Sequence, residues 1–373
     1  MPGQPRAETV GSLLRAEEVI RAARGEGGPD AGKLLDEAVT SAVKLQEDAG
    51  LDVITDGEVR RTAWAQTPRF VACFEAVPGR RSLNWRAGEG SQVTATPPAG
   101  SSFGYPAVVR RVTGGPRTGR MADEYASLAS VAHARTKFTM AAPSYHRRYW
   151  SAEHSRQAYG SCEDFLNEVR DYQRDVLSDL VALGCDYVQL DAPNYGSLCD
   201  PDTCAQMAAD GRDVDAEIAF DAELDSSLFD GFGGVTSALH ICRGNGPNGA
   251  WHSAGGYGAI SGQLFPKLNV SRLLLEYDSD RAGGFEPLAD VRPGTAVVLG
   301  LLTTKSNWLD GEADVAARIA EAAQVKPLEE LALSTQCGFA SVPGANPVTP
   351  AVQRAKLELV ARLAHQTWPG DLL

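Results

Sequence analysis

No stretch of the sequence approaches the roughly 20 consecutive apolar residues that a bilayer-spanning helix needs, so no membrane span is expected. Positive charge is also short. Over 373 residues, 35 Lys and Arg stand against 48 Asp and Glu, a formal charge of −13 at pH 7. A nucleic-acid or anionic-membrane surface would need a local excess of the opposite sign. The start, Met-Pro-Gly-Gln-Pro-Arg, lacks the apolar core of a secretion signal, and a cytoplasmic location is expected. Seven cysteines thinly spread over this length make a poor disulfide framework, so most should be reduced thiols packed as small hydrophobes. Internal repeats and low-complexity tracts are missing too. The glycines between Gly244 and Gly258 lack the Lys-Ser/Thr ending of a phosphate loop. With 43% hydrophobic and 22% charged residues, what remains is the make-up of a soluble globular protein, with an enzyme as the leading class.

What is present is an alternation. Short β-branched runs ending in polar or glycine-containing loops recur at residues 8–10, 51–55, 137–141, 186–190, 235–241, 272–276, 296–301 and 331–335. Helical patterns lie between many of them, at 33–49, 165–183 and 314–323, with a closing helix over 351–365 after Pro350. The clearest stripe is Phe165, Val169, Tyr172, Val176, Leu180 and Leu183, whose three-or-four spacing buries one face. Eight strands with intervening helices predict a (β/α)₈ TIM barrel, one catalytic domain over 1–373; a doubly wound open sheet is the competitor. Residues 64–120 break the rhythm with Gly, Pro, Ser and Arg, and with turn-forming clusters at 94–100 and 113–119. They read as an insertion after the second strand, a small hairpin excursion. A second long loop, 244–267, reads as a flexible lid.

In a barrel of this kind, active groups sit on the loops that follow the strands. Those places hold Gly11, Ser12, Glu58, Asp191, His240, Cys242, Glu276, Lys305 and Cys337. His240-Ile241-Cys242 is the sharpest local motif, because side chains at i and i+2 of an extended chain face the same way and can converge on one ion. Cys337 is placed to reach that centre across the rim, and Glu276 to supply a fourth ligand. A His, two thiolates and a carboxylate form a plausible tetrahedral zinc set, and the thiolates favour zinc over magnesium or calcium. Bland readings stand beside these. Cys337 would only pack, Glu276 would hold a loop, and Glu58 and Asp191 would pair with Arg60 or Arg61. His252, on the loop after the His-x-Cys motif, is a candidate general acid, against a packing role. His146, Arg147 and Arg148 are weighed as an anion-binding group against a solvated loop. Cys199 and Cys204 lack the spacing of a zinc knuckle.

Together these segments resemble the cobalamin-independent methionine synthase superfamily, in its catalytic barrel and its shorter stand-alone relatives. The resemblance runs from Thr9-Val10-Gly11-Ser12-Leu13-Leu14-Arg15 through Thr55-Asp56-Gly57-Glu58-Val59-Arg60-Arg61 and Val188-Gln189-Leu190-Asp191-Ala192-Pro193. It continues to His240-Ile241-Cys242-Arg243-Gly244-Asn245, Glu276 and Gln336-Cys337-Gly338. It implies a catalytic Zn2+ on His240, Cys242, Glu276 and Cys337, with Gly11, Ser12, Glu58 and Asp191 gripping the amino-acid part of a thiol. Its partners would then be a small-molecule thiol and a methyl or alkyl donor, with neither nucleic acid nor membrane. Three departures stand out. The duplicated N-terminal barrel of the long enzymes has no counterpart in these residues. The Trp beneath their pterin is replaced by the Ala142-Pro143-Ser144-Tyr145-His146 region. A proton-donating His near the seventh strand gives way to Lys305. Asp191, His252 and Lys305 are therefore the candidate catalytic residues. The expected activity is zinc-dependent S-methylation of homocysteine or a related thiol. The rivals are alkyl transfer to another thiol, as in coenzyme M addition to an epoxide, and a zinc-free barrel of the uroporphyrinogen decarboxylase type or a binding protein that kept the fold.

Overall fold

The computed structural model describes residues 4–65, 73–78, 86, 105–112, 119–341 and 347–370. The first three residues, the turn cluster at 94–100 and residues 113–118 of the second cluster lie outside it. The main sheet holds β1 (Ala7–Glu8), β2 (Val53–Ile54), β3 (Arg135–Thr136), β4 (Phe138–Ala141), β5 (Tyr187–Asp191), β6 (Thr236–Ile241), β7 (Arg272–Glu276), β8 (Ala296–Leu302) and β9 (Leu331–Thr335). Their order is β3-β2-β1-β9-β8-β7-β6-β5-β4, and neighbouring strands run parallel. Its two outermost strands, β3 and β4, are separated by Lys137 alone, whose N–H donates to Ile54 O at 2.9 Å. Both ends of the sheet therefore lie on one stretch of chain, and the sheet closes into a TIM barrel. An open doubly wound sheet would leave those ends far apart.

Local chemistry explains the helices. The one over Cys162–Ala182 starts with a capping box: Ser161 Oγ accepts from Asp164 N at 3.0 Å and Asp164 Oδ2 accepts from Ser161 N at 3.1 Å. That over Pro350–Thr367 starts on Thr349, whose Oγ1 accepts from Val352 N, with Pro350 in the first turn. The helix over Ala31–Ala49 stops at Gly50, which takes the left-handed conformation (φ 86°) that ends many helices. No helix among the described residues is long and apolar enough to cross a membrane.

Within the insertion, Phe74–Glu75 pairs antiparallel with Ala107–Val108, and Arg86 bridges to Trp251 through N–H···O bonds of 2.7 and 3.2 Å. That bridge ties the insertion to the loop after β6. The loop is also tied to itself, with Gly246 N donating to Ala250 O and His252 N to Arg243 O. These bonds make its first half a packed wall of the rim.

Inside the barrel an apolar layer of Val10, Val53, Tyr187, Ala238, Leu274, Val298 and Ala332 separates two polar regions. Below it lies Glu8, fully buried, accepting from Lys137 Nζ (2.6 Å), Arg272 Nη2 (2.8 Å) and Tyr187 OH (2.9 Å). Burial alone would raise the Glu8 pKa, but Lys137 and Arg272 override it and hold it down to about 2. Its folded pKa is depressed, so its stabilisation is present above pH 4.5 and lost as pH falls through about 2. Glu8→Gln strands two buried cations and is expected to cost about 3–5 kcal/mol at pH 7, measured by urea denaturation. The difference from wild type should shrink as the acid limb is descended.

Candidate metal and substrate site

The rim at the strand C-termini holds a cavity of about 150 Å³. His240 and Cys242 both line it, as the two-residue period of β6 requires, and Cys337, just past β9, joins them. A ligand atom from each of the three lies within 4.8 Å of the other two, and all three residues are buried. Nδ1 of His240 lies 3.2 Å from Leu274 O; a carbonyl only accepts, so this nitrogen carries the proton. That leaves Nε2 buried with no hydrogen-bonded nitrogen or oxygen. Hydrogen bonding from Cys242 and from His240 holds the Cys337 thiol well below its usual range, while the same sulfur contact pushes Cys242 up. An imidazole nitrogen facing two converging sulfurs fits a soft divalent ion such as zinc.

Glu276 stands next to this group without joining it. Its Oε2 accepts from Arg243 N at 2.6 Å, and its Oε1 accepts from Arg281 Nη2 at 2.8 Å and Lys305 Nζ at 3.2 Å. Burial would raise its pKa, but Lys305, Arg281 and Arg243 drive it far down. Lys305 is spent on this ion pair and does not line the cavity. The expected proton donor at this position is thus a counter-ion.

Two carboxylates expected to grip substrate do line the cavity. Glu58 sits in a left-handed conformation (φ 54°) unusual for a residue with a side chain, held by Asp56 Oδ1 accepting from Glu58 N and by Thr55 Oγ1 accepting from Gly57 N. Its Oε1 accepts from Thr139 Oγ1 at 2.8 Å, while its buried Oε2 has no hydrogen-bond partner. Arg61 forms an ion pair with Glu58 Oε1 at 3.6 Å, the pairing weighed against a substrate role, and donates more closely to Glu124 at 3.0 Å, while Arg60 pairs with Asp36. Gly11 contributes by its missing side chain: a Cβ there would lie 2.5 Å from Glu58 Oε1. Gly338 likewise leaves room for Ser12, whose Oγ a Cβ would meet at 2.2 Å. Ser12 lines the cavity, and its carbonyl accepts from Phe339 N at 2.7 Å. Asp191 Oδ1 accepts from Gln189 Nε2 at 2.7 Å, and burial pushes its pKa up to about 7 against the opposing pull of His240.

His252 also lines the cavity, but burial and then Arg148 push its pKa down to about 3. At physiological pH this favours the neutral ring. Of the three basic residues weighed after β4, Arg148 faces the cavity, Arg147 pairs with Asp221, and His146 packs beneath with Nδ1 3.0 Å from Ala142 O. Lining residues not singled out by sequence include Asn245, Ser341, Trp64, Tyr105 and Tyr145. Asn245 follows the His-x-Cys motif directly, and Tyr145 lies in the flagged segment. Trp64 and Tyr105 lie within the insertion and carry no local signal.

No protein-family profile matches the sequence. Two curated relatives do: the uncharacterized proteins YxjH and YxjG of Bacillus subtilis (strain 168) are each 32% identical, covering 97% of this chain and 94% of the relative. Among solved structures, a putative vitamin-B12-independent methionine synthase from Listeria monocytogenes is 25% identical, with 99% of each chain covered and a TM-score of 0.69. A B12-independent methionine synthase from Shewanella sp. W3-18-1, solved with selenomethionine, shares the fold at 18% identity, 98% coverage of each chain and a TM-score of 0.69. These are TIM barrels of one architecture. The chain belongs to one family with YxjH and YxjG, and its likeness to the Listeria protein places it in the cobalamin-independent methionine synthase superfamily.

The raised Asp191 pKa has a measurable cost. In the window from 3.8 to about 7 the folded state holds a proton that the unfolded state has lost, so stability falls as pH rises. In protein stripped of metal, Asp191→Asn should remove that decline and be more stable than wild type at pH 8 by about 2–4 kcal/mol. Denaturation at pH 4 should show little of that gap.

Proposed function

We propose that the protein is a zinc-dependent thiol S-methyltransferase, acting on homocysteine or a related thiol with a small-molecule methyl donor. One observation carries this reading: an imidazole nitrogen and two sulfurs converge in a cavity that also presents two buried carboxylates. His240, Cys242 and Cys337 would hold the ion. When bound, zinc would keep a substrate sulfur in its thiolate form at neutral pH, where a free thiol of pKa ~8.5 is largely protonated.

The remaining work falls to the chain. Glu58 Oε2, orphaned and buried, is an acceptor for a substrate ammonium group, and Asp191 is a second. Binding an ammonium there replaces lost hydration with charge pairing and lowers the cost of keeping Asp191 ionised. Gly11 keeps the Glu58 carboxylate in place, and Ser12 borders the same space. Trp64, Tyr105 and Tyr145 give the cavity an aromatic wall that excludes water from the reacting sulfur and carbon. Among the described residues lining the cavity, Asp191 titrates near neutral pH and His252 does not, so proton movement during turnover is assigned to Asp191. The whole chain is read as one catalytic barrel, with residues 64–120 inserted to complete that wall.

Arg148, also on the wall, favours a second reading in which the thiol or donor carries an anionic head. Turnover of homocysteine against a sulfonate thiol, each with methylfolate and with methylcobalamin, separates the two. Cys337→Ser and His240→Ala are each expected to lose zinc and turnover while the far-UV circular dichroism of the barrel stays unchanged. Full metal content and activity in either variant would show the ligand assignment to be wrong.

A further inference from the structure

Thr139 stands in β4, two residues beyond Lys137, so the period of an extended chain turns both side chains to the barrel interior. Lys137 reaches Glu8, whereas the Thr139 hydroxyl lies 2.8 Å from Glu58 Oε1 and 3.0 Å from Arg61 Nη1. A guanidinium has donors only. Arg61 therefore gives an N–H to Thr139 Oγ1, and the one hydroxyl proton goes to the carboxylate. Arg61 and Glu58 are themselves 3.6 Å apart, too far for a direct hydrogen bond, although both side chains are at most 5% exposed. The cation is anchored elsewhere: Nε donates to Glu124 at 3.0 Å and Nη2 to Thr139 O at 2.8 Å, and the group lies over the Phe138 ring at 5.1 Å. Gly11 leaves the space in which hydroxyl and carboxylate meet, since a Cβ there would lie 3.4 Å from Thr139 Cγ2 and 2.5 Å from Glu58 Oε1. Glu58 is thus held at Oε1, and Oε2 is the oxygen left without a partner.

We infer that Thr139 is a positioning residue for substrate recognition: its hydroxyl bridges Arg61 and Glu58, keeps them from closing into a direct ion pair, and reserves Glu58 for an ammonium group. This rests on the reading of Glu58 as an ammonium acceptor given above. Without the hydroxyl, a buried cation and a buried carboxylate each lose a hydrogen bond. Closing the gap between them recovers that loss, because unpaired charge is costly in the interior. A carboxylate drawn onto the guanidinium then has little to offer a ligand. Pairing with Arg61 and binding of substrate are competing uses of one side chain, and Thr139 decides between them.

The test uses the full-length protein and two thiols that differ only in the ammonium group, L-homocysteine and 4-mercaptobutanoate, with binding read by titration calorimetry. Wild type should prefer homocysteine by about 10-fold or more, the worth of a hydrogen bond to a charged group. Thr139→Val keeps the shape of the side chain and loses the hydroxyl. In it homocysteine should bind about 10-fold more weakly and 4-mercaptobutanoate within about 2-fold of wild type, so that the preference disappears. Thr139→Ser, which retains the hydroxyl, should retain the preference. Thr139→Ala reads the same loss should the valine variant fail to fold. The inference is overturned if the variants without the hydroxyl keep the full preference, if Thr139→Ser loses it, or if both thiols weaken equally, the mark of a merely structural role. Glu58→Gln should also lose the preference, and adding Thr139→Val to it should change nothing further. Wild type without a preference, or Glu58→Gln with the preference intact, defeats the reading of Glu58 itself, an outcome distinct from failure of the part assigned to Thr139.

Discussion

A single carboxylate sealed in the barrel floor organises the rest. Glu8 receives Lys137, Arg272 and Tyr187, side chains from β7, β5 and the junction between β3 and β4. Lys137 is also the residue at which the two ends of the sheet meet. The charge that answers Glu8 and the backbone that closes the barrel are thus the same residue. With several kcal/mol at stake in any buried ion left alone, closure and charge neutrality enforce each other.

Above the apolar layer the logic is reversed. Both oxygens of the floor carboxylate are engaged, whereas the rim keeps acceptors in reserve: Glu58 Oε2 and Asn245 Oδ1 are buried without a hydrogen-bond partner. Buried polar groups are normally paired, so two unspent acceptors around one cavity describe a ligand rich in positive charge and donors. An ion and an ammonium-bearing substrate together meet that description. The strained backbone at Glu58 and the raised pKa of Asp191 are further costs that packing alone does not repay.

Much of this was legible in the chain and some was not. Each strand lies within a few residues of its expected place, because β-branched runs between glycine-rich turns leave few other options. His240 and Cys242 followed from the period of an extended strand. Cys337 followed from its place at the end of the last strand and from the resemblance, whereas the buried thiols Cys162 and Cys185 have no such position. The expected coordination by Glu276 did not foresee Arg281 and Lys305, which arrive from the loops after β7 and β8 and compete for the same oxygens. His252 looked like a group poised near neutrality, and only its burial shows that it is not. The aromatic wall includes Trp64 and Tyr105 of the insertion that broke the sequence rhythm, where periodicity has nothing to say.

Gln189 joins the two halves of the barrel. Its Oε1 accepts from Lys137 Nζ at 2.7 Å, and its Nε2 donates to Val10 O and to Asp191 Oδ1. An amide cannot present oxygen at both ends, so the ammonium below dictates that an N–H points upward at the rim carboxylate. Foundation and workshop are therefore coupled through one side chain. A lineage that altered the charge pattern of its barrel floor would have to retune its substrate pocket in the same step.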